Sequence, residues 1–422
     1  MKTILVKGPA LSRSGYGEQT RFALRALRQA QDRFNILLIN ISWGHTGWYN
    51  EDNEERAWID QLIAKTQGHI DNKAPIDISL QITIPNEWEK IAPVNIGYTA
   101  GIETTRVAPQ WIEKAHIMDK IIVVSNHSKN VYNNTVYDAV NQQTGETFKF
   151  QNQTPVEVVN YAVRSMEQEP IDIDLEYDFN FLSVAQFGPR KNLANTVQWF
   201  IQEFHDDEVG LILKINLANC STGDRVMCVS KLQEGLAQHP NKKCKIYLLH
   251  GDLTLEQMNY LYAHPKIKSY LTLTHGEGFG IPIFESAYHG NPVIAPQWSG
   301  QCDFLHAPVT SAKTKKTKIR PLFCRVDYTI GDIPEEVIWD QVLERGTQWC
   351  YPTEKSAKQC MRDMYTNYTQ YLGMARKLKK HIIENFTETK QYSKFADAVY
   401  GEEQVELEGW LASLSDDIQV HE

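Results

Sequence analysis

The chain has 422 residues, 42 % of them hydrophobic and 23 % charged, with a formal net charge of −9. That length is too great for one compact core and suggests two domains, and the acidity excludes a general attraction to nucleic acid or acidic lipid, so that either partner needs a local patch. No apolar run approaches the roughly 18 residues that span a bilayer, residues 2–6 meet Lys7-Gly8-Pro9 too early for a signal peptide, and seven cysteines without a C-x-x-C fit reduced core thiols; the expected location is cytoplasmic.

Residues 2–6 form a β-branched apolar run, followed by a turn containing Gly15-Tyr16-Gly17 and a helix with Phe22, Ala23, Ala26 and Leu27 at helical spacing. The two late glycines stop short of a G-x-G-x-x-G fingerprint, so a dinucleotide site does not follow from them. A second strand at 34–41 leads into Trp43-Gly-His-Thr-Gly-Trp48-Tyr49, at a strand end where open α/β sheets bind ligands. Trp43 and Trp48 are either a sugar-stacking platform or a hydrophobic lid. A polar helix is expected from 51 to about 65, then strands at 78–84 and 94–98. Strict alternation of Ile78, Leu80, Ile82 and Ile84 with polar residues predicts an edge or half-exposed strand. A loop carrying Glu103 opens into a helix, and a buried strand at 121–125 follows, after which Ser125 or Asn126 caps the helix that contains His127. Residues 141–154 read as a surface excursion, 156–160 as the last strand of the first half, and the acidic 165–178 as a linker.

The second half repeats the strand–helix alternation. A strand beginning at Phe179 ends by presenting Arg190 and Lys191 just before a helix; strands at 209–215, 245–249 and 269–273 alternate with helices near 225–237 and 254–263, which predicts a parallel sheet. Residues 272–295 then fit a strand, a glycine loop, a short helix and another strand. Gly276, Gly278 and Gly280 give a loop able to take positive φ and approach a ligand; Pro282 suits the first helical position, Gly290 the helix end and Pro292 its termination. An anionic phosphate is favoured at such a helix start, and Glu277 and Glu285 flank it, each able to accept two hydroxyls of a vicinal diol. Residues 313–320, Lys-Thr-Lys-Lys-Thr-Lys-Ile-Arg, are the one strongly basic segment, either a solvated loop or a contact for an anionic partner. A helical tail with Met361, Met364 and Tyr365 at core spacing and later Phe395 and Trp410 completes the chain.

Glu277-Gly-Phe-Gly-Ile-Pro-Ile-Phe-Glu285 resembles the E-x₇-E signature of retaining nucleotide-sugar glycosyltransferases of the GT-B fold, family 4 above all. Residues 299–305 are similar to that family's continuation, and the block from Glu103-Thr104 through Pro109 and Trp111 to Asp119 and Ser125 resembles a subset of it. The resemblance implies an α/β chain of two Rossmann-like, doubly wound parallel-sheet domains facing across a cleft. Residues 1–168 would be the acceptor side and 169–387 the donor side, with helices of 388–422 crossing back onto the first domain. It implies transfer of a hexosyl or pentosyl group from a UDP- or GDP-sugar to an acceptor hydroxyl, with retention and without an essential metal or other cofactor. Glu277, Lys191 and Arg190 would be catalytic; Gly17, Gly278, Phe279, Gly280, Ile281 and Glu285 would join them in donor binding, and Gly15, Tyr16, Glu103 and His127 would lie on the acceptor side. The family has Lys at the position of Lys191 and an Arg where this chain has Gln186, so Arg190 is left to supply that charge. Many members carry a His near the loop of Glu103; here Gly101 and Glu103 stand instead, and no His role transfers. The acceptor would be a carbohydrate, glycolipid, protein or modified nucleic acid base. The competing reading is a nucleotide-sugar-binding protein without turnover.

Overall fold

The computed structural model describes residues 1–164, 167–311 and 313–401. In chain order the first half contains β1 (Lys2–Gly8), α1 (Gly15–Gln29), β2 (Phe34–Asn40), α2 (Glu54–Asp71), β3 (Ile78–Gln81), β4 (Val94–Thr99), α3 (Pro109–Ala115), β5 (Lys120–Val123) and α4 (Asn126–Asn134). A hairpin of β6 (Val136–Val140) and β7 (Thr147–Gln151) and then β8 (Val156–Val158) complete it. All strands but the hairpin form one parallel sheet in the order β2-β1-β3-β4-β5-β8.

The second half runs β9 (Asn180–Gln186), α5 (Leu193–Glu203), β10 (Gly210–Asn216), α6 (Thr222–Leu236), β11 (Lys245–Leu249), α7 (Leu255–Ala263), β12 (Ile267–Leu271), α8 (Ile281–His289), β13 (Val293–Pro296) and α9 (Cys302–Leu305). Two antiparallel hairpins, β14 (His306–Thr310) with β15 (Thr317–Pro321) and β17 (Tyr328–Asp332) with β18 (Gln348–Pro352), flank β16 (Cys324–Val326), and α10 (Glu354–Thr366), α11 (Tyr368–Asn385) and α12 (Glu388–Tyr400) follow. The second sheet is also parallel, in the order β11-β10-β9-β12-β13-β16. Counting its own strands, that is 3-2-1-4-5-6, the doubly wound arrangement whose strand order reverses between β9 and β12; ligands bind in the crevice at the carboxyl ends of such a pair.

Apolar side chains tie the halves together. Phe22 of α1 lies edge-on to Tyr161 at 5.4 Å, Tyr161 to Phe279 at 5.3 Å, and Phe279 to Phe284 at 5.2 Å. Helix α12 packs on α1, with Phe395 5.6 Å from Phe22 and 4.9 Å from Tyr98. Trp410 and the rest of 402–422 lie outside the described residues, as do Ser165 and Met166 in the linker. No helix among the described residues is long and apolar enough to cross a membrane.

The structure corrects several local expectations. β3 is interior, between β1 and β4, and all four of its residues are buried. Its polar side chains are satisfied over long range: Ser79 donates to Asn95 Oδ1 at 3.1 Å and Gln81 to the carbonyl of Glu89 at 2.6 Å. Alternation therefore marks a satisfied interior here rather than a wet edge. Helix α2 starts three residues later and ends six later than expected, because Asn53 caps it and Thr66 reaches back to accept the amide of Leu38 at 2.7 Å. Part of 141–154 is ordered as β7, and the basic segment runs into β15 rather than remaining a loop. Pro282 takes the second position of α8, after Ile281.

Gly97 in β4 is set against the fully buried Trp88: a Cβ there would lie 2.4 Å from the indole ring. Gly97→Ala is expected to destabilise the fold by about 1–3 kcal/mol through overpacking, read as a lower urea midpoint. An unchanged midpoint would mean that Trp88 moves freely.

Candidate active site

At the reversal point of the second sheet two loops face each other. After β9 the chain makes a tight turn at Pro189–Lys191, and Asn192, in the left-handed conformation at φ 53°, starts α5. After β12 comes the loop of His275 to Gly280. The two are laced by backbone: the amide of His275 donates to Arg190 O at 2.8 Å, and Asn192 Nδ2 to Leu273 O at 3.0 Å. This brings Lys191 Nζ to 2.7 Å from both carboxylate oxygens of Glu277. Arg190 donates to Glu277 Oε2 at 3.2 Å and pairs at 3.2 Å with Glu103 from the first half. Burial alone would raise the Glu277 carboxyl, yet Lys191 and Arg190 hold it below the ordinary carboxylate value. Burial pulls the Lys191 ammonium below its ordinary value despite Glu277.

The loop reaches α8 through Gly280, whose φ of +93° only glycine adopts without strain, and no side chain caps the helix start. Gly276 and Gly278 do not take positive φ. Their need is space: a Cβ on Gly276 would lie 2.6 Å from Glu103 O, and one on Gly278 2.7 Å from Ala100 O. These two glycines let the loop press against the first half, and only Gly280 takes the positive φ expected of all three. One turn into α8, Glu285 accepts the Tyr262 hydroxyl at 3.1 Å. Burial, with Glu18 adding to it, pushes its carboxyl up to about 7.

Both glutamates line one cleft of about 1080 Å³ between the sheets, together with Arg190, Lys191, Glu103 and the segment Gly278 to Ile281. Gly15 and Tyr16, at the start of α1, line it from the other side. Tyr16 Oη lies 2.8 Å from Thr99 Oγ1, and its ring stands 4.3 Å from Trp43, which also faces the cleft. Gly17 is set back from the lining; its amide donates to the capping Ser14 Oγ at 3.0 Å and a Cβ there would meet Ser12 O at 1.9 Å. Phe279 is 3 % exposed, its ring spent on the aromatic core. His127 is outside the cleft lining, at the second position of α4 and edge-on to Trp298 at 5.1 Å, where burial pushes it down to about 4 and keeps it neutral. Trp48 is 54 % exposed and not part of the lining.

Sequence reasoning missed a second charged group in the cleft. Glu18 pairs with Arg21 at 3.1 Å, with Arg25, and with Arg164 at 3.8 Å, and these cations overcome burial to hold its carboxyl down at about 2. The signal was present: positions 18, 21, 22 and 25 share one helical face, so three charges ride on the stripe that buries Phe22. Arg13, paired with Glu51 at 2.8 Å and 3.8 Å from Asp252 across the cleft, and Lys214, donating to Gly251 O at 2.7 Å, were also passed over.

Asp224, Cys228 and His250 cluster closely enough to suggest a metal site outside the cleft. The carboxylate is already spent: Asp224 accepts the amides of Leu217, Ala218 and Asn219 at 2.8, 2.6 and 3.0 Å and lies 2.9 Å from His250 Nε2. It fastens the turn between β10 and α6. The Asp172-Ile-Asp174 triplet, the spacing some transferases use for metal, has both carboxylates exposed in the segment between the sheets and away from the cleft.

The Glu285 shift has a sign that stability measurements read. A carboxyl at about 7 in the folded state and near 4.5 when unfolded holds a proton between those values that unfolding releases, so stability falls as pH rises from about 4.5 to 7. Glu285→Gln should remove that contribution, on the order of 1 kcal/mol at this half-buried position after allowance for solvent. Urea midpoints at pH 5 to 8 test this; parallel curves for both proteins would refute it.

No family model matches the chain, and no curated protein matches it. Solved structures do. HepE from Anabaena, solved with UDP and glucose, is 12 % identical over 94 % of this chain and 99 % of its own, with a TM-score of 0.57. A sucrose-phosphate synthase from Thermosynechococcus elongatus is 10 % identical over 98 % and 100 %, with a TM-score of 0.59. A glycosyltransferase from Rickettsia africae is 14 % identical over 94 % and 97 %, with a TM-score of 0.56. At those identities the likeness is one of architecture, and with two six-stranded parallel sheets facing across a charged cleft it shows that this chain has the GT-B fold.

Proposed function

We propose that the chain is a retaining, metal-independent glycosyltransferase that moves a hexosyl or pentosyl group from a UDP- or GDP-sugar to an acceptor hydroxyl. The observation that carries this is the cluster of Lys191, Arg190 and Glu277 at the reversal point of the second sheet, opening on the same cleft as Glu285. A diphosphate carries about two negative charges and competes for the cations that Glu277 now occupies. Once displaced, Glu277 is free to accept sugar hydroxyls, while Glu285 accepts those of the ribose; a bond to the ionised Glu277 contributes about 1.5–3 kcal/mol. Gln186, standing where the family has Arg, turns its amide to Leu217 O at 2.7 Å, and Arg190 reaches the carboxylate in its place.

Retention ordinarily calls for a carboxylate nucleophile. In this reading Glu277 binds sugar hydroxyls rather than attacking the anomeric carbon, which leaves front-face attack, the route precedent in the resembled family suggests. In that step the bond between the anomeric carbon and the phosphate oxygen breaks, the acceptor oxygen bonds to the same face, and its proton passes to the departing diphosphate. Lys191 and Arg190 stabilise the charge that develops there. In this reading 169–387 hold the donor and 1–168 face the acceptor, with α12 packed on the latter. The HepE structure with UDP and glucose supports a UDP-sugar as the first donor to try.

Release of nucleoside diphosphate from a panel of UDP- and GDP-sugars tests the proposal. Lys191→Ala should lower it by about 100-fold or more, the scale of losing one preorganised charge-stabilising donor. A donor that raises the melting temperature without any release would point to the binding-protein reading. No shift with any nucleotide sugar would defeat both.

A further inference from the structure

The basic segment that the active site leaves unused has a definite form. β14 and β15 pair antiparallel from His306–Pro321 to Thr310–Thr317, and the turn between them is closed by Ser311 N donating to Lys316 O at 3.0 Å. Lys313, Lys315, Lys316, Lys318 and Arg320 are all exposed, none is in an ion pair among the described residues, and 306–321 contain no acidic residue. In a chain of net charge −9 this is a local reversal of sign.

The ribbon is also anchored. Ala307 and Val309 belong to the same apolar cluster as Leu378 and Ile382 of α11, and β14 is in contact with that helix. The hairpin leaves the fold directly after α9, where Asp303 accepts Asn126 Nδ2 at 3.1 Å and Asn160 Nδ2 at 2.9 Å from the first half. It therefore begins at the seam between the two sheets.

We propose that the β14–β15 hairpin is a docking surface for duplex nucleic acid. A two-stranded ribbon is of a size that the major groove of B-form DNA admits, and unpaired cations interleaved with hydroxyls, here Thr310, Thr314 and Thr317, are the groups that contact phosphate. An anionic bilayer fits less well. Ile319, at 65 % exposure, is the one large apolar side chain exposed on the ribbon among the described residues; it sits within a strand flanked by cations, and 306–321 contain no Trp or Phe to enter a lipid interface. The consequence for acceptor class rests on the transferase reading: the surface would bring a hydroxyl-bearing base of a polymer toward the cleft. Docking itself does not depend on that reading.

The full chain is titrated with a fluorescein-labelled 30-base-pair duplex at about 50 to 200 mM salt, the range over which counterion release changes affinity steeply. Binding should weaken along a linear log–log slope of about −0.9 for each phosphate contacted. Changing Lys313, Lys315, Lys316, Lys318 and Arg320 together to Gln should lower affinity at least tenfold and flatten the slope, while nucleoside diphosphate release from a donor and the melting temperature stay unchanged. Absence of duplex binding at 50 mM salt, the same affinity in the five-residue variant, or hairpin-dependent binding to phosphatidylserine vesicles but not to DNA would each overturn the proposal. Duplex binding without any donor turnover would leave docking standing and sink the transferase reading instead.

Discussion

A carboxylate gripped by an ammonium at 2.7 Å, in the crevice where the strand order of a parallel sheet reverses, is the contact on which this molecule turns. Glu277 is only 7 % exposed. Leaving such a charge without a partner is strongly unfavourable, so the two loops that bring Lys191 and Arg190 to it must be held in register. The structure does this with backbone, through His275 N to Arg190 O, and with the left-handed turn at Asn192. Under the proposed function an incoming anion would take over cations that are already desolvated and oriented, and the displaced carboxylate would become available to neutral hydroxyls nearby.

The joint between the halves combines two kinds of contact. Away from the cleft it is apolar and aromatic, running from Phe22 through Tyr161 to Phe279 and Phe284, with α12 laid across α1. At the cleft it is polar: Glu103 with Arg190, Asp303 with Asn126 and Asn160, Arg13 near Asp252. The apolar part fixes where the halves meet. Gly276 and Gly278 allow this close seating, since a Cβ on either would strike a backbone oxygen of the first half.

Much of the second sheet was legible as a string. Val293–Pro296 and Lys245–Leu249 are short apolar runs bounded by breakers, and Gly290 and Pro292 mark the end of α8 because their backbone restrictions act locally. β3 was misread for the opposite reason. Ser79 and Gln81 look solvent-facing from spacing alone, and only Asn95 and the backbone of Glu89, contributed by later segments, make them interior. Glu18 with Arg21 and Arg25 is the intermediate case: one helical face carried them, yet the pairing with Arg164 depends on the chain returning from the far end of the sheet.

The amino-acid order by itself determined the alternation of strands and helices, the two-part division, the glycine-bounded helix with a glutamate on either side of its start, and the basic run at 313–320. These follow from dihedral preferences and spacing within a dozen residues. Only the tertiary structure decided the strand orders, the placing of Lys191 and Arg190 on Glu277, the withdrawal of Gly17 and His127 from the cleft, and the basic ribbon at the seam, without an ion pair among the described residues. Each of those depends on groups tens to hundreds of positions apart, and whether a polar side chain is satisfied, paired or free is a property of what the fold puts next to it.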